Sequence, residues 1–379
     1  MTTPKAFLLG AVCVSLLATS AAFARAPYPG MQSGPGNLPE RIVNASETLS
    51  GADLEAVNAF VEANANALES ATTSSSMEQA RKDLIEPFRA GLARPAFRNA
   101  FSAAAVKRLK PIIEGKDTQR AILAMQVAAY IATKDALSLI TSRLGEGEKD
   151  VAKRQNAAST IGHAMETVVG SNARPEDTSA RLNDVDFDVV TRAITTAAEK
   201  EEEVSIILQE LKALSIIANR PGVGAKSLAM ARSNHVTIVE AVLSRVAASK
   251  TPDVRIRIVT AAVSDFQRQW TKAPATHATV GPVIAPMLIK VLSTSAAQWD
   301  AAHGTDSGEG DELVKKDYAD AVAGAEVLLR VIDSRLRSDA TPVTAERAII
   351  KAWDAGDRKA FDEAVAKWSK VLAEKPYAK

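Results

Sequence analysis

Two segments of this chain, residues 117–128 and 149–162, begin in the same way and predict equivalent helices. Each has an acidic residue at its start, a basic residue in the first helical turn, and then a stripe of small and aliphatic residues. The basic residues, Arg120 and Arg154, lie 34 positions apart. A spacing of this size is typical of helical hairpins that bury their apolar faces only by stacking on neighbouring hairpins. The repeat therefore predicts an α-solenoid.

Other segments carry parts of the same pattern. Residues 253–263 repeat the acidic start and the basic first turn. Residues 136–144 have the order Ala-Leu-x-x-Ile-x-x-x-Leu, which suits the partner helix of a hairpin, and the helix after it carries the pairs Ala157-Ala158 and Ile161-Gly162. These features resemble HEAT repeats, a family of helical-hairpin solenoids. The resemblance implies stacked antiparallel helix pairs.

The resemblance is best over residues 117–165 and 204–270 and weaker elsewhere. Composition supports the fold class, because the chain is 46% hydrophobic but only 4% aromatic, and strand-like alternation of β-branched and aromatic residues is nearly missing. We therefore expect an all-α protein, an α-solenoid of antiparallel helix pairs (HEAT-like). Because the pattern is degenerate, an irregular helical bundle is the alternative.

The N-terminus predicts export. Residues 1–24 contain a basic residue, Lys5, then an apolar stretch over 6–17, then Ala22-Phe23-Ala24 as a cleavage site before Arg25. This is the pattern of a signal peptide, and a retained anchor is the alternative. We expect an exported protein, in the bacterial periplasm or outside the cell, with no membrane insertion after cleavage.

Charge and cysteine usage narrow the function classes. Cleavage would remove Lys5 and no acidic residue, so 45 of the 46 basic residues would remain against 45 acidic ones. A net charge of zero gives no electrostatic basis for binding nucleic acid. The only cysteine, Cys13, would leave with the signal peptide. The mature chain would then have no disulfide, no thiolate nucleophile and no cysteine metal site.

From residue 51 onward, the sequence predicts helices that are separated by a few breaks. Clear helical patterns cover residues 118–132, 136–144 and 150–169, and later helices resume at about residues 187 and 282. The predicted organisation is a signal peptide at 1–24, a flexible linker at 25–50, a helical array at 51–340 with loops at 171–186, 271–281 and 300–312, and a C-terminal helical hairpin cap at 341–379.

The four histidines give no metal motif, since none pairs with another four residues away on one helix. His163 lies in an alanine-rich helix, where a packed or interface role is expected. His235 follows Ser233-Asn234, which suggests a helix break. His277 and His303 fall in two of the predicted loops. If those loops converged, these two histidines and Asp300 would form a site.

The segment 300–312 is rich in acidic residues, and hard cations take oxygen ligands from such loops. Its spacing does not match the twelve-residue calcium loop, so a solvated loop is the preferred interpretation. Nucleophile and phosphate-loop motifs are also missing from the sequence. We therefore assign no catalytic, cofactor-binding or metal-binding residue, and we expect no cofactor. The acidic loop contains Asp300, His303, Asp306, Glu309, Asp311 and Glu312.

All four tryptophans lie in the last third of the chain. Core packing at hairpin ends is the expected role of Trp270, Trp299, Trp353 and Trp368, whereas exposed tryptophans would be binding anchors.

The function expected from these patterns is a non-catalytic exported scaffold that binds a protein partner. The alternative is an enzyme of helical-superhelix type that acts on an envelope polymer through acidic residues in a groove, and a structural spacer is a third possibility. For the opening repeat, we expect Asp150 and Arg154 to belong to a polar ladder along the hairpin turns. Replacing Arg154 with alanine should then lower stability by about 0.5–2 kcal/mol.

Overall fold

A computed structural model describes residues 37–89, 93–169, 182–219, 223–272, 277–304 and 309–377. Every regular element in these ranges is an α-helix, and they contain no strand. The all-α prediction is therefore confirmed. The predicted signal peptide and residues 25–36 of the predicted linker lie outside the described residues.

The described residues form sixteen helices, most of them with one apolar side. The first eight are α1 (Glu40–Val43), α2 (Gly51–Ser70), α3 (Ser74–Arg89), α4 (Pro95–Glu114), α5 (Thr118–Ile131), α6 (Lys134–Thr141), α7 (Val151–Val169) and α8 (Asp184–Ala198). The other eight are α9 (Val204–Ala218), α10 (Ala225–Ala248), α11 (Ile256–Lys272), α12 (His277–Ala297), α13 (Trp299–His303), α14 (Glu309–Leu336), α15 (Ala348–Asp354) and α16 (Arg358–Leu372).

Most of the long helices fall into two series according to their contacts. In the first, which we call row one, α3, α5, α7, α9, α11 and α14 each contact the next. In the second, row two, α2, α4, α6, α8, α10, α12 and α16 do the same. Helices that are adjacent along the chain mostly pack across the two rows. This alternation is compatible with a helical repeat and also with an irregular helical bundle.

The core between the rows is built mainly of small and aliphatic side chains. In α5, for example, Ala121, Ala124 and Ala128 have no exposed surface. Alanine at such positions allows helix backbones to approach closely and favours the helical state. The predicted helices over 118–132, 136–144 and 150–169 correspond to α5, α6 and α7, with ends that differ by up to three residues.

The prediction of a flexible linker is wrong for residues 37–50. Ile42, Val43 and Leu49 are buried in the core, and the Val43 carbonyl accepts a hydrogen bond from the Arg94 N–H at 3.0 Å. The prolines and glycines that suggested a linker lie almost all before residue 37, and residues 37–50 contain only Pro39 among them. Burying the three apolar side chains removes apolar surface from water, and this fixes the segment against the first long helices.

The three predicted loops are shorter than the sequence indicated. Residues 184–186 belong to α8, residues 277–281 to α12, and most of 300–312 to α13 and α14. In α8 the acidic residues form the helix start, because Asn183 and Asp186 make a capping box. In α12, apolar residues continue at helical spacing on both sides of Pro282 and outweigh its unfavourable effect. Residues 171–181, 273–276 and 305–308 of these loops lie outside the described residues.

One described helix, over Ala278–Ala297, is long and apolar enough to cross a membrane by length and composition. Half of this apolar stretch is buried inside the fold, where α12 packs against α10, α14 and α16. A helix in a protein core has the same composition, so this feature by itself does not indicate a membrane span.

Candidate binding pocket

The acidic and basic residues of the repeat lie where row-one helices begin. The Asp117 side chain accepts the Arg120 N–H at 2.9 Å and caps α5, and the Arg120 guanidinium reaches the Ala71 carbonyl at 2.6 Å. One repeat later, Asp150 accepts hydrogen bonds from the Thr118 hydroxyl and from the first N–H groups of α7. These bonds join successive row-one helices at their starts.

A further member of this ladder is Arg154. Its guanidinium makes two hydrogen bonds to the Glu201 carboxylate, at 2.8 and 3.2 Å, and a third to the Glu148 carbonyl at 3.0 Å. Burial alone would raise the pKa of Glu201, but the bonds from Arg154 and from two backbone N–H groups outweigh it and the pKa is lowered. The predicted polar ladder is confirmed, because Asp150 and Arg154 make hydrogen bonds that join neighbouring helices and turns.

A second polar group, His303, is enclosed by aromatic rings at the C-terminal end. It stacks on Trp299 with ring centroids 4.2 Å apart and lies 4.4 Å from the Trp353 ring. Its Nδ1 lies 3.0 Å from the Trp299 carbonyl oxygen and its Nε2 lies 3.0 Å from that of Trp353. Whichever nitrogen carries the proton therefore has an acceptor. We call Trp299, His303, Trp353 and Phe361 the aromatic cluster.

The sequence suggested a site of His277, His303 and Asp300. Asp300 and His303, whose side chains the structure describes, do not form such a site. The Asp300 side chain is 94% exposed and lies 3.8 Å from the Arg358 guanidinium, whereas His303 points into the aromatic cluster. The His277 side chain lies outside the described residues. Within the described part of the chain, no group of three or more histidine, aspartate, glutamate or cysteine side chains could hold a metal ion.

The tryptophans take the predicted core positions. Trp270, Trp299, Trp353 and Trp368 are each at most 6% exposed. They fill space between helices, as expected for large rings at hairpin ends. The alternative of exposed tryptophan anchors is therefore wrong.

An open pocket of about 350 Å³ lies where two row-one helices separate. Its walls come from α9 and α11, and α10 of row two contributes His235. The cause is a difference in packing, because α9 contacts α7 along much of its length but contacts α11 only sparsely. The walls are mostly apolar, with Leu208, Leu211 and Ile216 on one side and Ala261 and Ala262 on the other.

His235 is the polar group deepest in this pocket. It is 1% exposed and lies against Phe266, with ring centroids 4.4 Å apart. Neither ring nitrogen has a hydrogen-bond partner. Burial lowers the pKa of His235 to about 4, although the nearby Asp265 acts in the opposite direction. At neutral pH the ring is therefore uncharged and offers one N–H donor and one acceptor.

Charged side chains complete the pocket lining. Arg268 is 71% exposed and pairs with Asp265 at 2.8 Å, and the Gln269 side chain also donates to Asp265, at 2.9 Å. On the opposite wall Lys212 is 60% exposed and pairs with Glu166 of α7 at 3.6 Å. The cations are largely solvated, while the carboxylate of Asp265 is occupied by two donors. The pocket thus combines solvated cations with an apolar wall and an uncharged polar group.

A further buried group, Glu210, lies on α9 but does not line the pocket. It has no exposed surface, and neither carboxyl oxygen has a hydrogen-bond partner. Burial raises the pKa of Glu210 to about 9, with a smaller contribution from the charge of Glu201 and an opposing one from Arg154. At neutral pH Glu210 is therefore protonated and uncharged.

The prediction of a helix break at His235 is wrong, since the residue lies inside α10. A usable signal was present in the sequence. Ala231, His235, Ile238 and Val242 recur at helical spacing, and this places the histidine on the buried stripe. His163, by contrast, is exposed on α7 and contacts the Tyr130 ring at 5.0 Å.

A scan of protein-family models found no match to this chain, and a search of curated proteins found none either.

Proposed function

We propose that this protein is an exported, non-catalytic helical-repeat scaffold of HEAT-like type, and that it binds a protein partner through the row-one surface around the pocket. The observation that carries the proposal is the alternation of helices between two rows. In such an arrangement each added pair lengthens the exposed surface of both rows, which is how helical-repeat proteins present binding surfaces. The regular polar ladder at the starts of row-one helices supports the repeat.

The partner surface is placed at α9 and α11 because row one is least tightly packed there. The pocket gives this surface a concavity with apolar walls and solvated cations. Binding energy at protein interfaces concentrates where an anchor side chain fills such a pocket and loses its water.

The alternative, an enzyme acting on an envelope polymer, has less support. Its candidate residues Asp300 and His303 occupy different environments, one solvated and one enclosed by aromatic rings. General acid–base catalysis requires both groups within reach of the same bond.

The binding proposal is tested by placing a photo-crosslinking residue at Arg268, beside the pocket, in the full-length protein. The matched control carries it at Val189, which is 46% exposed on α8 of row two. We expect illumination in cells to yield one discrete protein adduct from position 268 and none from position 189. Equal adducts from both positions, or none from 268 and from further row-one positions, would contradict the proposal.

Export is tested separately by fusing residues 1–24 to a reporter enzyme that is active only outside the cytoplasm. We expect activity with the intact segment. Activity should disappear when the apolar stretch 6–17 is interrupted with two aspartates, because a signal peptide needs a continuous apolar centre. An inactive intact fusion would contradict export.

A further inference from the structure

The imidazole ring of His235 is buried, and neither of its nitrogens has a hydrogen-bond partner. A buried donor or acceptor without a partner costs about 1–3 kcal/mol relative to a satisfied one. Glu210 is also buried without a hydrogen-bond partner, but it does not line the pocket. His235, however, lines an open pocket, so a molecule that enters the pocket can reach a group that the fold leaves unsatisfied.

The chemistry of the pocket restricts what can enter. Its apolar walls favour an apolar body, and its volume lies at the lower end of the range of about 300–1,000 Å³ for small-ligand sites. The uncharged imidazole needs a partner that is itself uncharged, since a buried ion would lose its hydration. A hydroxyl group is the best match, because it can either donate to the bare ring nitrogen or accept from the ring N–H.

We propose that this pocket accepts a tyrosine side chain of the protein partner, with its hydroxyl group hydrogen-bonded to His235. The inference rests on the proposed binding function and names the anchor that the partner would use. The aromatic ring would lie between Leu208 on α9 and Ala261 on α11, and the solvated cations Lys212 and Arg268 would lie near its outer edge.

Other side chains fit less well. Phenylalanine would fill the apolar space but leave both nitrogens of His235 without a partner. A carboxylate would have to approach Asp265, and an ammonium group would have to pass Lys212 and Arg268. Tryptophan has only a donor, so it could pair with the bare ring nitrogen but not with the ring N–H, whereas a hydroxyl group could pair with either.

The test measures binding of N-acetyl-tyrosinamide and N-acetyl-phenylalaninamide to the full-length protein by ligand-observed NMR titration. Because the phenylalanine probe leaves the imidazole unpaired, we expect the tyrosine probe to bind about 10-fold more tightly or better. In His235→Phe the preference should fall to about one. The matched control His163→Phe changes an exposed histidine outside the pocket and should keep the full preference.

A second variant, Ala261→Leu, fills the pocket from an exposed wall position without changing a buried polar group. It should abolish binding of the tyrosine probe while the circular dichroism spectrum stays that of the wild type. Equal binding of the two probes, or an unchanged preference in His235→Phe, would overturn the inference.

The photo-crosslinking experiment separates this inference from the proposed function. If the adduct from position 268 disappears in His235→Phe and in Ala261→Leu, the tyrosine anchor is supported. If the adduct persists in both variants, the scaffold proposal stands and the anchor is wrong. If the tyrosine probe binds but position 268 gives no adduct, the pocket serves a small molecule and both proposals fail.

Discussion

The aromatic cluster and the α9–α11 pocket each enclose a histidine, but they treat its hydrogen bonds in opposite ways. In the cluster, both ring nitrogens of His303 lie 3.0 Å from carbonyl oxygens. In the pocket, neither nitrogen of His235 has a partner. Both rings also pack against aromatic side chains, so packing alone does not separate them. The two histidines therefore differ in their surroundings: His303 lies between carbonyl acceptors, whereas His235 has no partner and lines a pocket.

The largest expected effect concerns the cluster. Trp353→Ala removes a ring that is 4% exposed and contacts Trp299, His303 and Phe361. It should lower the free energy of unfolding by about 3–5 kcal/mol, measured by urea denaturation. Leu208→Ala in the partly exposed pocket wall should cost about 1 kcal/mol or less, because less apolar surface is lost. Similar losses of unfolding free energy in the two variants would show that the cluster and the pocket wall are equally well packed.

The next effect concerns the satisfied polar ladder. Arg154→Ala leaves the Glu201 carboxylate, 4% exposed, without its charged partner and should cost about 3 kcal/mol. This exceeds the range expected from the sequence, because the structure shows a paired and largely buried carboxylate. The matched control is Lys316→Ala, whose ion pair with Asp320 is solvent-exposed, so its loss should leave the free energy of unfolding nearly unchanged. A loss below about 1 kcal/mol in Arg154→Ala would show that the ladder contributes little to stability.

The third effect concerns Glu210, a buried carboxyl group without a hydrogen-bond partner. Its pKa is raised from 4.5 to about 9 in the folded state, so between these values the folded protein holds a proton that the unfolded chain releases. Stability therefore falls as the pH rises through this window. Glu210→Gln should raise the free energy of unfolding by about 2–3 kcal/mol at pH 8 and leave it nearly unchanged at pH 4.

The control for this prediction is Glu201→Gln, in which the sign is reversed. The pKa of Glu201 is lowered by its bonds, so its charged form stabilises the fold above the unfolded pKa. The variant should therefore be less stable than the wild type at pH 8. A gain in both variants, or in neither, would show that the two glutamates do not differ in their hydrogen bonding.

The smallest expected effect on stability is that of His235→Phe. The pKa of His235 is lowered from 6.5 to about 4, so below pH 6.5 the unfolded chain binds a proton that the folded protein excludes. Wild-type stability is lost as the pH falls through this window. The free energy of unfolding of the variant, taken relative to that of the wild type, should be about 1–2 kcal/mol higher at pH 5 than at pH 7.5. An equal difference at both pH values would indicate that His235 is solvated.

The all-α class and the ladder could be predicted from the sequence because both depend on local patterns. Apolar spacing indicates helices, and the acidic start with a basic first turn indicates caps and ladder bonds at Asp117 and Arg154. The pocket could not be predicted, because it depends on how far α9 separates from α11. The role of His303 was also hidden, since one of its two carbonyl partners lies fifty residues away at Trp353.

The most direct test of the central claim follows the imidazole nitrogens of His235 and His303 by ¹⁵N NMR at neutral pH during titration with N-acetyl-tyrosinamide. We expect the His235 signals to start as those of an uncharged ring and to shift saturably. The His303 signals should stay in place, because its ring lies in the aromatic cluster, outside the pocket. Shifts at His303, or unchanged signals at His235 up to saturation of the probe, would contradict the claim.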